Sequence, residues 1–201
     1  MSDKDPKPKR GRPKTFDRDR TLDIAMTAYW EADPADVSLN ALCQRAAVSK
    51  PALYREFGGE DGLMRAALDR YAETVLSDVF VVLSKNAPLE ETLDALTAFA
   101  SEDPKMERGC LFYKMRAGKH RLGPETRRRV EEIDAAAVHA FTAYLEGRRA
   151  AGDWAGDISA ALAARFLVEQ IGLALTQRAA GEDPGQIRDT LVLALAALRR
   201  P

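Results

Sequence analysis

Residues 38–57 read SLNALCQRAAVSKPALYREF, and this stretch decides the predicted fold. Ser38 and Ser49 can each cap the N-terminus of a short helix, because a serine side chain accepts a hydrogen bond from a free backbone N–H of the first turn. Pro51 is tolerated in the first turn of the second helix, where a backbone N–H has no helical partner. The stretch therefore predicts two short helices joined by a tight turn, which is a helix-turn-helix.

Two short helices make a poor core by themselves, so we expect a third helix to cover them. A helix is predicted from about residue 17 to 32, and Asp33-Pro34 ends it, because the residue before a proline is driven out of the helical region. The apolar faces of the three helices should pack through Leu22, Ala25, Tyr29, Leu39, Leu42, Ala46, Val48, Leu53 and Phe57. The second short helix then keeps one face free, with short, basic or aromatic residues that can enter a DNA major groove. They are Ser49, Lys50, Pro51, Ala52, Tyr54 and Arg55.

The rest of the chain also predicts helices, separated by breaks that contain Gly or Pro. The run Val75–Leu83 favours a strand by composition, but it continues the helical spacing that starts at Leu63 and is assigned to a helix. The predicted helices lie at about residues 60–86, 88–102, 110–117, 124–151, 157–180 and 184–200. The sequence therefore predicts an all-α fold of about nine helices. We expect a basic disordered arm at 1–15, a helix-turn-helix domain at 16–60 and a larger helical domain at 61–201.

Charge is distributed unevenly along the chain. The 201 residues have a formal net charge of −1, which argues against a protein that coats nucleic acid with its whole surface. Five basic residues and no acidic residue lie between Lys7 and Lys14. A local basic arm on a near-neutral protein indicates a DNA contact confined to one end.

Several classes of protein are excluded by what the sequence lacks. No apolar run approaches the roughly 18 residues of a membrane span, and the N-terminus does not resemble a signal peptide, so a cytoplasmic location is predicted. The chain has only two histidines, His120 and His139, and two cysteines, Cys43 and Cys110, without the spacing of a metal site. There is no glycine-rich phosphate loop after a strand. We therefore predict a protein that is not an enzyme and that holds neither cofactor nor metal.

The segment Val37-Ser38-Leu39, then Leu42, then residues 46–58 (AAVSKPALYREFG) resembles the TetR family of bacterial transcriptional regulators. Residues 11–17 (GRPKTFD) before it and Leu63 and Tyr71 after it also fit the resemblance, which covers about the first 70 residues. It implies a homodimeric, DNA-binding repressor that releases a palindromic operator on binding an effector. It also implies that residues 61–201 form the effector-binding and dimerisation domain.

The resemblance assigns roles to the free face of the second short helix. Lys50, Pro51 and Ala52 are expected at base edges, Tyr54 and Arg55 at phosphates, and the hydroxyls of Ser38 and Ser49 also at phosphates. Two features depart from the family pattern. Glu60 stands where a lysine commonly opens the fourth helix, and Asp33-Pro34-Ala35-Asp36 replaces a glycine-containing loop.

The basic arm resembles an AT-hook core, because Arg10-Gly11-Arg12 could lie along a narrow A·T-rich minor groove with Lys14 beside it. The alternative is a solvated tail that only raises non-specific affinity.

The predicted second domain supplies the dimer interface and the effector pocket. The helix at 157–180 is apolar nearly all round, so it must be covered on several sides. In the family it forms a four-helix bundle with the last helix and their two-fold mates, and an ordinary intramolecular core is the alternative. The expected interface residues are Leu162, Phe166, Ile171, Leu191, Leu195 and Leu198. The pocket, for a small and largely apolar effector, is expected among Phe80, Phe99, Phe112, Met115, His139, Phe141, Tyr144 and Gln170, although most of these are core residues in any interpretation.

Cys110 gives a second hypothesis for the signal. It follows Gly109 at the predicted start of a helix, with Arg108 and Lys114 nearby, and helix N-termini and cations lower a thiol pKa. A redox or electrophile sensor is therefore possible, and the alternative is a small buried residue. A third hypothesis is a helical small-molecule-binding protein without DNA activity, which leaves the arm and the segment 50–54 unexplained.

Overall fold

The computed structural model describes residues 16–155 and 157–199, and within these ranges the ordered elements are helical throughout. The predicted all-α fold with nine helices is confirmed for the described residues. The helices are α1 (Arg18–Glu31), α2 (Leu39–Ala46), α3 (Lys50–Phe57), α4 (Glu60–Tyr71, continued by Ala72–Leu76 and Ser77–Ser84), α5 (Leu89–Ser101), α6 (Leu111–Ala117), α7 (Pro124–Ala150), α8 (Ala160–Ala179) and α9 (Pro184–Leu195). Short 3₁₀ turns lie at Pro34–Asp36, Pro104–Met106 and Lys119–Arg121.

Capping side chains explain several helix boundaries. Asp17 accepts a hydrogen bond from the Arg20 backbone N–H at 3.0 Å and begins α1. Asp183 does the same for Gln186 at 2.9 Å, with Pro184 at the first position of α9. These are the side chains that satisfy the free N–H groups of a first helical turn. The end of α9 differs from the sequence prediction, because regular helix stops at Leu195 and not near residue 200.

Helix α4 is long and contains one π-helical turn at Ala72–Leu76. There the hydroxyls of Thr74 and Ser77 donate to the carbonyl oxygens of Arg70 and Glu73, at 2.7 and 2.9 Å. The β-friendly run Val75–Leu83 is helical, as predicted. The sequence analysis did not predict the π-turn, a feature that is rare in proteins.

Helix α4 connects the N-terminal helices to the rest of the molecule. It packs against α1 on one side and against α7 on another. At its first turn, the Asp61 carboxylate accepts hydrogen bonds from the backbone N–H groups of Glu125 and Thr126, at 2.8 and 3.1 Å, and from the Thr126 hydroxyl at 2.6 Å. Asp61 therefore caps α7 from a different helix. The described part of the chain contains no helix with the length and apolar character of a membrane span.

Candidate nucleic-acid interface

The turn between α2 and α3 has a tightly defined backbone. Ala47 lies in the left-handed region, with φ 55° and ψ 41°, and its N–H donates to the Gln44 carbonyl at 3.1 Å. Ser49 is extended and its hydroxyl accepts from the Ala52 N–H at 3.3 Å, which caps α3 as predicted. Ser38 precedes α2 and is exposed, but its side chain makes no capping hydrogen bond. The hydroxyl of Ser38 is therefore available for another partner.

Helix α3 is held in place by buried side chains on its inner face and by backbone contacts at its C-terminal end. Leu53 and Phe57 are buried in the core, as predicted. Gly58 ends the helix with φ 78°, a left-handed conformation that favours glycine. A β-carbon on Gly62 would lie 1.7 Å from the Phe57 carbonyl oxygen, so the first turn of α4 is in direct backbone contact with the end of α3. This contact fixes the angle at which α3 leaves the core.

The outer face of α3 is exposed and positively charged. Lys50, Pro51, Tyr54 and Arg55 are exposed, and Ala52 is half-buried beside them. Half of the Tyr54 surface is exposed, and its ring lies over Gly59, where a β-carbon would be 3.6 Å away. The ring is therefore packed on the backbone of Gly59.

The charges around α3 are not all neutralised. Glu56 pairs with Arg18 at 3.0 Å, and the Arg18 guanidinium also lies 5.3 Å from the Phe57 ring centroid. By contrast, neither Lys50 nor Arg55 forms an ion pair with any residue that the structure describes. An exposed helix with two unpaired cations can hold phosphate oxygens, and small residues between the cations allow a close approach to bases.

Five of the predicted contacts therefore lie together on α3: Lys50, Pro51, Ala52, Tyr54 and Arg55. Ser49 and Ser38 directly precede α3 and α2. Arg10, Arg12 and Lys14 lie outside the described residues. Sequence reasoning missed two residues that shape the interface, Ala47 and Gly62. An alanine gives no signal of a left-handed turn, whereas a glycine in the first turn of a helix could have indicated a close backbone contact.

The middle helices enclose a small apolar cavity of about 50 Å³. Four of the predicted pocket residues line it: Phe80, Phe99, Phe112 and Phe141. The Tyr113 ring also lines it, and the Tyr113 hydroxyl donates to the Val168 carbonyl at 2.7 Å. A ligand in this cavity would meet mainly aromatic and aliphatic carbon.

The other four predicted pocket residues lie elsewhere. Met115 is fully buried but does not line the cavity, and Gln170 is partly exposed outside it. The Tyr144 hydroxyl lies 2.9 Å from the Ala87 carbonyl oxygen and 2.7 Å from the Thr92 hydroxyl. His139 is exposed. Ala137 and Phe141 of the same helix line the cavity, and a residue two positions from each points to the opposite face of a helix.

The predicted interface residues divide into two groups. Ile171, Leu191, Leu195 and Leu198 have 4%, 3%, 0% and 2% of their surface exposed, so the chain's own core covers them. Leu162 has 58% of its surface exposed and Phe166 is half-buried. The expectation that the first four face a partner is therefore wrong. The large exposed apolar side chains that share α8 and α9 with Leu162 are Leu173, Val192 and Leu193.

Cys110 has an environment opposite to the predicted one. It is buried immediately before α6, with 2% of its surface exposed. Burial raises the pKa of the thiol, and this effect outweighs the opposing contributions of Tyr71, the first backbone N–H groups of α6 and Lys114. The predicted lowering of the pKa is therefore wrong, because the sequence placed Cys110 at a helix start but could not show that the start is buried.

Comparisons with known proteins agree with the geometry of α1–α3. Residues 22–67 match the model of the family described as bacterial regulatory proteins, tetR family. The HTH-type transcriptional repressor ComR of Escherichia coli (strain K12) is 46% identical over 67 residues, which are 33% of this chain and 32% of that protein. The match thus spans about a third of the length of this curated relative.

Solved structures extend the likeness to nearly the whole chain. A cysteine mutant of the TetR family transcriptional regulator CifR, solved with 26 bp double-strand operator DNA, has a TM-score of 0.72 and 25% identity over 92% of this chain and 99% of that one. Reduced Escherichia coli NemR has a TM-score of 0.75 at 16% identity, covering 92% of this chain and 98% of that one. A regulatory protein TetR from Rhodobacter sphaeroides has a TM-score of 0.77 at 14% identity, with 91% and 99% coverage. The last two show a shared fold.

Proposed function

We propose, from the TetR-family N-terminal domain that this chain carries, that the protein is a homodimeric transcriptional repressor and not an enzyme. The observation that supports the proposal best is the outer face of α3. It is exposed, it is held in place by Leu53, Phe57 and Gly62, and it presents Lys50 and Arg55, which form no ion pair with the residues that the structure describes. Such a helix fits a DNA major groove, which is wide enough to admit an α-helix.

The side chains of α3 would make two kinds of DNA contact, to base edges and to phosphates. Lys50 can donate to guanine oxygen and nitrogen atoms, and the apolar surfaces of Pro51 and Ala52 suit thymine methyl groups. Tyr54 and Arg55 would hold phosphates on one side of the groove, and the hydroxyls of Ser38 and Ser49 would add phosphate contacts. Phosphate contacts fix the position of the helix, and base contacts provide the specificity. The arm residues Arg10, Arg12 and Lys14 would reach the neighbouring A·T-rich minor groove.

A second copy of the chain would cover the exposed apolar face of α8 and α9. Leu162, Leu173 and Leu193 have 58%, 50% and 77% of their surface exposed, and Phe166 adds to this face. A two-fold dimer formed here would match a palindromic operator, with its recognition helices about 34–36 Å apart in successive major grooves. Such a dimer acts in the cytoplasm, where the DNA is.

The effector would enter the apolar cavity among the middle helices. Its volume of about 50 Å³ is too small for most ligands, so binding requires the walls to move. Leu76, Phe80 and Leu83 of α4 form part of the wall, and the other end of α4 contacts α3. A small apolar molecule would therefore change the spacing of the two recognition helices. A preference of about 1–3 kcal/mol between the two forms weakens DNA binding roughly 5- to 150-fold.

A redox or electrophile signal through Cys110 remains the alternative, but the burial and raised pKa of the thiol do not favour it. A Cys110→Ser variant that lost the response to thiol-reactive compounds while keeping DNA affinity would support this alternative.

A band-shift assay with DNA from beside the protein's own gene tests the proposal. We expect a discrete complex that contains two protomers, as measured by sedimentation of the labelled complex. A sequence-scrambled duplex of the same length is the control, and it should bind far more weakly at physiological salt. Equal binding to both duplexes, or one protomer in the complex, would contradict the proposal. A helical ligand-binding protein without DNA activity would bind neither duplex.

A further inference from the structure

A second and larger concavity lies between the N-terminal helices and the rest of the molecule. This junctional cleft has a volume of about 570 Å³. One wall is the end of α1 and the turn after it, residues 31–34, and the other wall is formed by α6 and α8. Small-molecule sites commonly have volumes of about 300–1,000 Å³. The cleft falls in this range, whereas the apolar cavity does not.

Most charges that line the junctional cleft are already neutralised. Glu31 pairs with Arg108 at 3.2 Å, and Asp33 pairs with Arg121 at 2.9 Å. The exception is Lys114, which forms no ion pair with the residues that the structure describes. Its ammonium group donates one hydrogen bond, at 2.5 Å, to the Trp30 carbonyl oxygen. An ammonium group has three N–H donors, so within the described residues the cleft has one unmatched positive charge with donors to spare.

Burial lowers the pKa of Lys114, and the nearby groups act in both directions. The Cys110 thiol and the Asp33 carboxylate raise the pKa, whereas Arg108 lowers it. The dominant cause is the loss of hydrating water, and an anion in the cleft would replace the hydrogen bonds of that water. An ammonium group that is partly desolvated and lacks a carboxylate partner is a preferred position for a negative charge.

The floor of the cleft is apolar and tightly built. Tyr113, Leu175 and Ala179 line it together. A β-carbon on Gly172 would lie 2.4 Å from the Tyr113 ring, and one on Gly109 would lie 2.6 Å from the Ala179 β-carbon. Helix α6 and the loop before it are thus packed directly onto α8. The floor is therefore built by α6 and α8, and the Lys114 ammonium group on α6 reaches across to the Trp30 carbonyl of α1.

We propose that the junctional cleft binds a small organic monocarboxylate, with its carboxylate at the Lys114 ammonium group and its apolar body on Tyr113, Leu175 and Ala179. Nothing in the proposed effector cavity supplies a cation, so this is a second site with a different ligand chemistry. Carboxylate binding to this site can be measured on the protein in the absence of DNA. A ligand here contacts both walls and would fix the N-terminal helices relative to α8, and this coupling to DNA rests on the proposed function.

The fluorescence of Trp30 can report ligand binding in the junctional cleft. The chain has two tryptophans, and a Trp154→Phe variant leaves Trp30 as the single indole reporter. The Trp30 carbonyl is the acceptor of Lys114, and its indole N–H donates to the Gly109 carbonyl at 2.7 Å. We expect benzoate and phenylacetate to change Trp30 fluorescence saturably at constant ionic strength. Their neutral amides, benzamide and phenylacetamide, should bind about tenfold or more weakly, because an amide cannot form the charge-assisted hydrogen bond with Lys114.

Three lysine variants in this background locate the carboxylate. Lys114→Gln keeps a donor for the Trp30 carbonyl but removes the charge, so it should abolish the preference for carboxylate over amide. Lys114→Arg should retain the preference. Lys85→Gln, which removes an exposed lysine after the end of α4, should behave like the unsubstituted chain. Circular dichroism checks that each variant is folded, and if Lys114→Gln is not, the acid–amide comparison on the unsubstituted chain decides.

Three results would overturn the inference. The first is the absence of a saturable change with either carboxylate up to about 10 mM. The second is equal affinity for acids and amides, and the third is an undiminished preference for acids in folded Lys114→Gln. Repeating the band shift with benzoate tests the coupling separately. Unchanged operator affinity would remove the coupling and leave the site. A protein that bound no operator at all would contradict the proposed function without affecting the fluorescence result.

Discussion

The helix-turn-helix and the C-terminal pair α8–α9 differ in how well their faces follow from the sequence. In the helix-turn-helix, Leu53 was predicted to face inward and Tyr54 outward, and both predictions are confirmed. In α8 and α9, Ile171, Leu191 and Leu195 were expected to face a partner and are instead buried in the chain's own core. The same rule of amphipathic spacing therefore succeeded in one region and failed in the other.

The composition of the helices explains the difference. Helix α3 has eight residues, and its two large apolar side chains leave no doubt about which side is buried. Helix α8 has 20 residues and is apolar nearly all round, so it has both a face toward its own core and an exposed apolar face. Periodicity identifies a helix that is covered on several sides, but it does not say whether the same chain or a second copy covers each side.

Substituting aspartate at two neighbouring residues of α9 gives the largest expected effect. Leu195 is fully buried, whereas Leu193 has 77% of its surface exposed. Leu195→Asp should unfold the protein or destabilise it by more than the roughly 2–5 kcal/mol of a leucine truncation, because a charge is also buried. Leu193→Asp should leave the fold intact and weaken the dimer. Thermal melts followed by circular dichroism measure the first effect, and sedimentation measures the second.

The two variants control for each other, because they introduce the same charge on the same helix. A folded, dimeric Leu193→Asp protein would remove Leu193 from the interface. A folded but monomeric Leu195→Asp protein would restore the original expectation for that residue and contradict the burial described above.

The sequence predicted the helix-turn-helix in more detail than the second domain. The cap at Ser49 and the breaks at Gly58 and Pro184 are local signals, so helix positions followed from them, whereas the predicted cap at Ser38 makes no capping hydrogen bond. The proposed DNA-contact residues followed from one short helix and a family resemblance. The cavity, the junctional cleft and the burial of Cys110 depend on contacts between helices far apart in the chain. No local pattern encodes such contacts, and His139 shows the consequence, because its polarity suggested a pocket role that its helical position excludes.

Two glycine substitutions compare the tight backbone contact between α3 and α4 with an exposed position of the long helix α7. Gly62→Ala places a methyl group against the Phe57 carbonyl and should cost about 1–3 kcal/mol, as other overpacked sites do, while tilting α3. Gly147→Ala meets no atom within 4 Å and should stabilise α7 by about 0.5–1 kcal/mol. Urea unfolding measures both. A neutral Gly62→Ala would mean that α3 and α4 can separate freely, and that the angle of α3 is not fixed by this contact.

Phosphate binding by α3 should give a smaller effect that depends on salt. Tyr54→Ala with Arg55→Ala should weaken binding to all DNA sequences alike and flatten the slope of log affinity against log salt by about 0.9 for each phosphate that the variant no longer neutralises. The control is Arg128→Ala, an exposed arginine of α7 that pairs with Glu132 at 3.8 Å. Band shifts at several salt concentrations measure the slope. An unchanged slope in the double variant would remove these residues from the DNA interface.

The smallest expected effect concerns Asp61, which links α4 to α7 by capping α7 from α4. Burial raises the pKa of Asp61, but the hydrogen bonds from Thr126 and Glu125, together with Arg127, outweigh it and leave the pKa below its ordinary value. A carboxyl group whose pKa is lowered by folding stabilises the protein above its unfolded pKa of about 3.9, and this contribution is lost as the pH falls through the folded value.

Asp61→Asn should therefore cost about 0.3–1 kcal/mol at pH 7, the usual benefit of a negative charge at a helix N-terminus, and the difference should shrink below about pH 4. Urea unfolding at pH 7 and pH 3 measures it, with the exposed Asp189→Asn on α9 as the matched control. If the cost persisted unchanged at pH 3, the charge of Asp61 would not be what holds α4 to α7. Helices α4 and α7 would then be held together by their other contacts, which include the ion pairs Arg65–Glu125 and Arg129–Asp69.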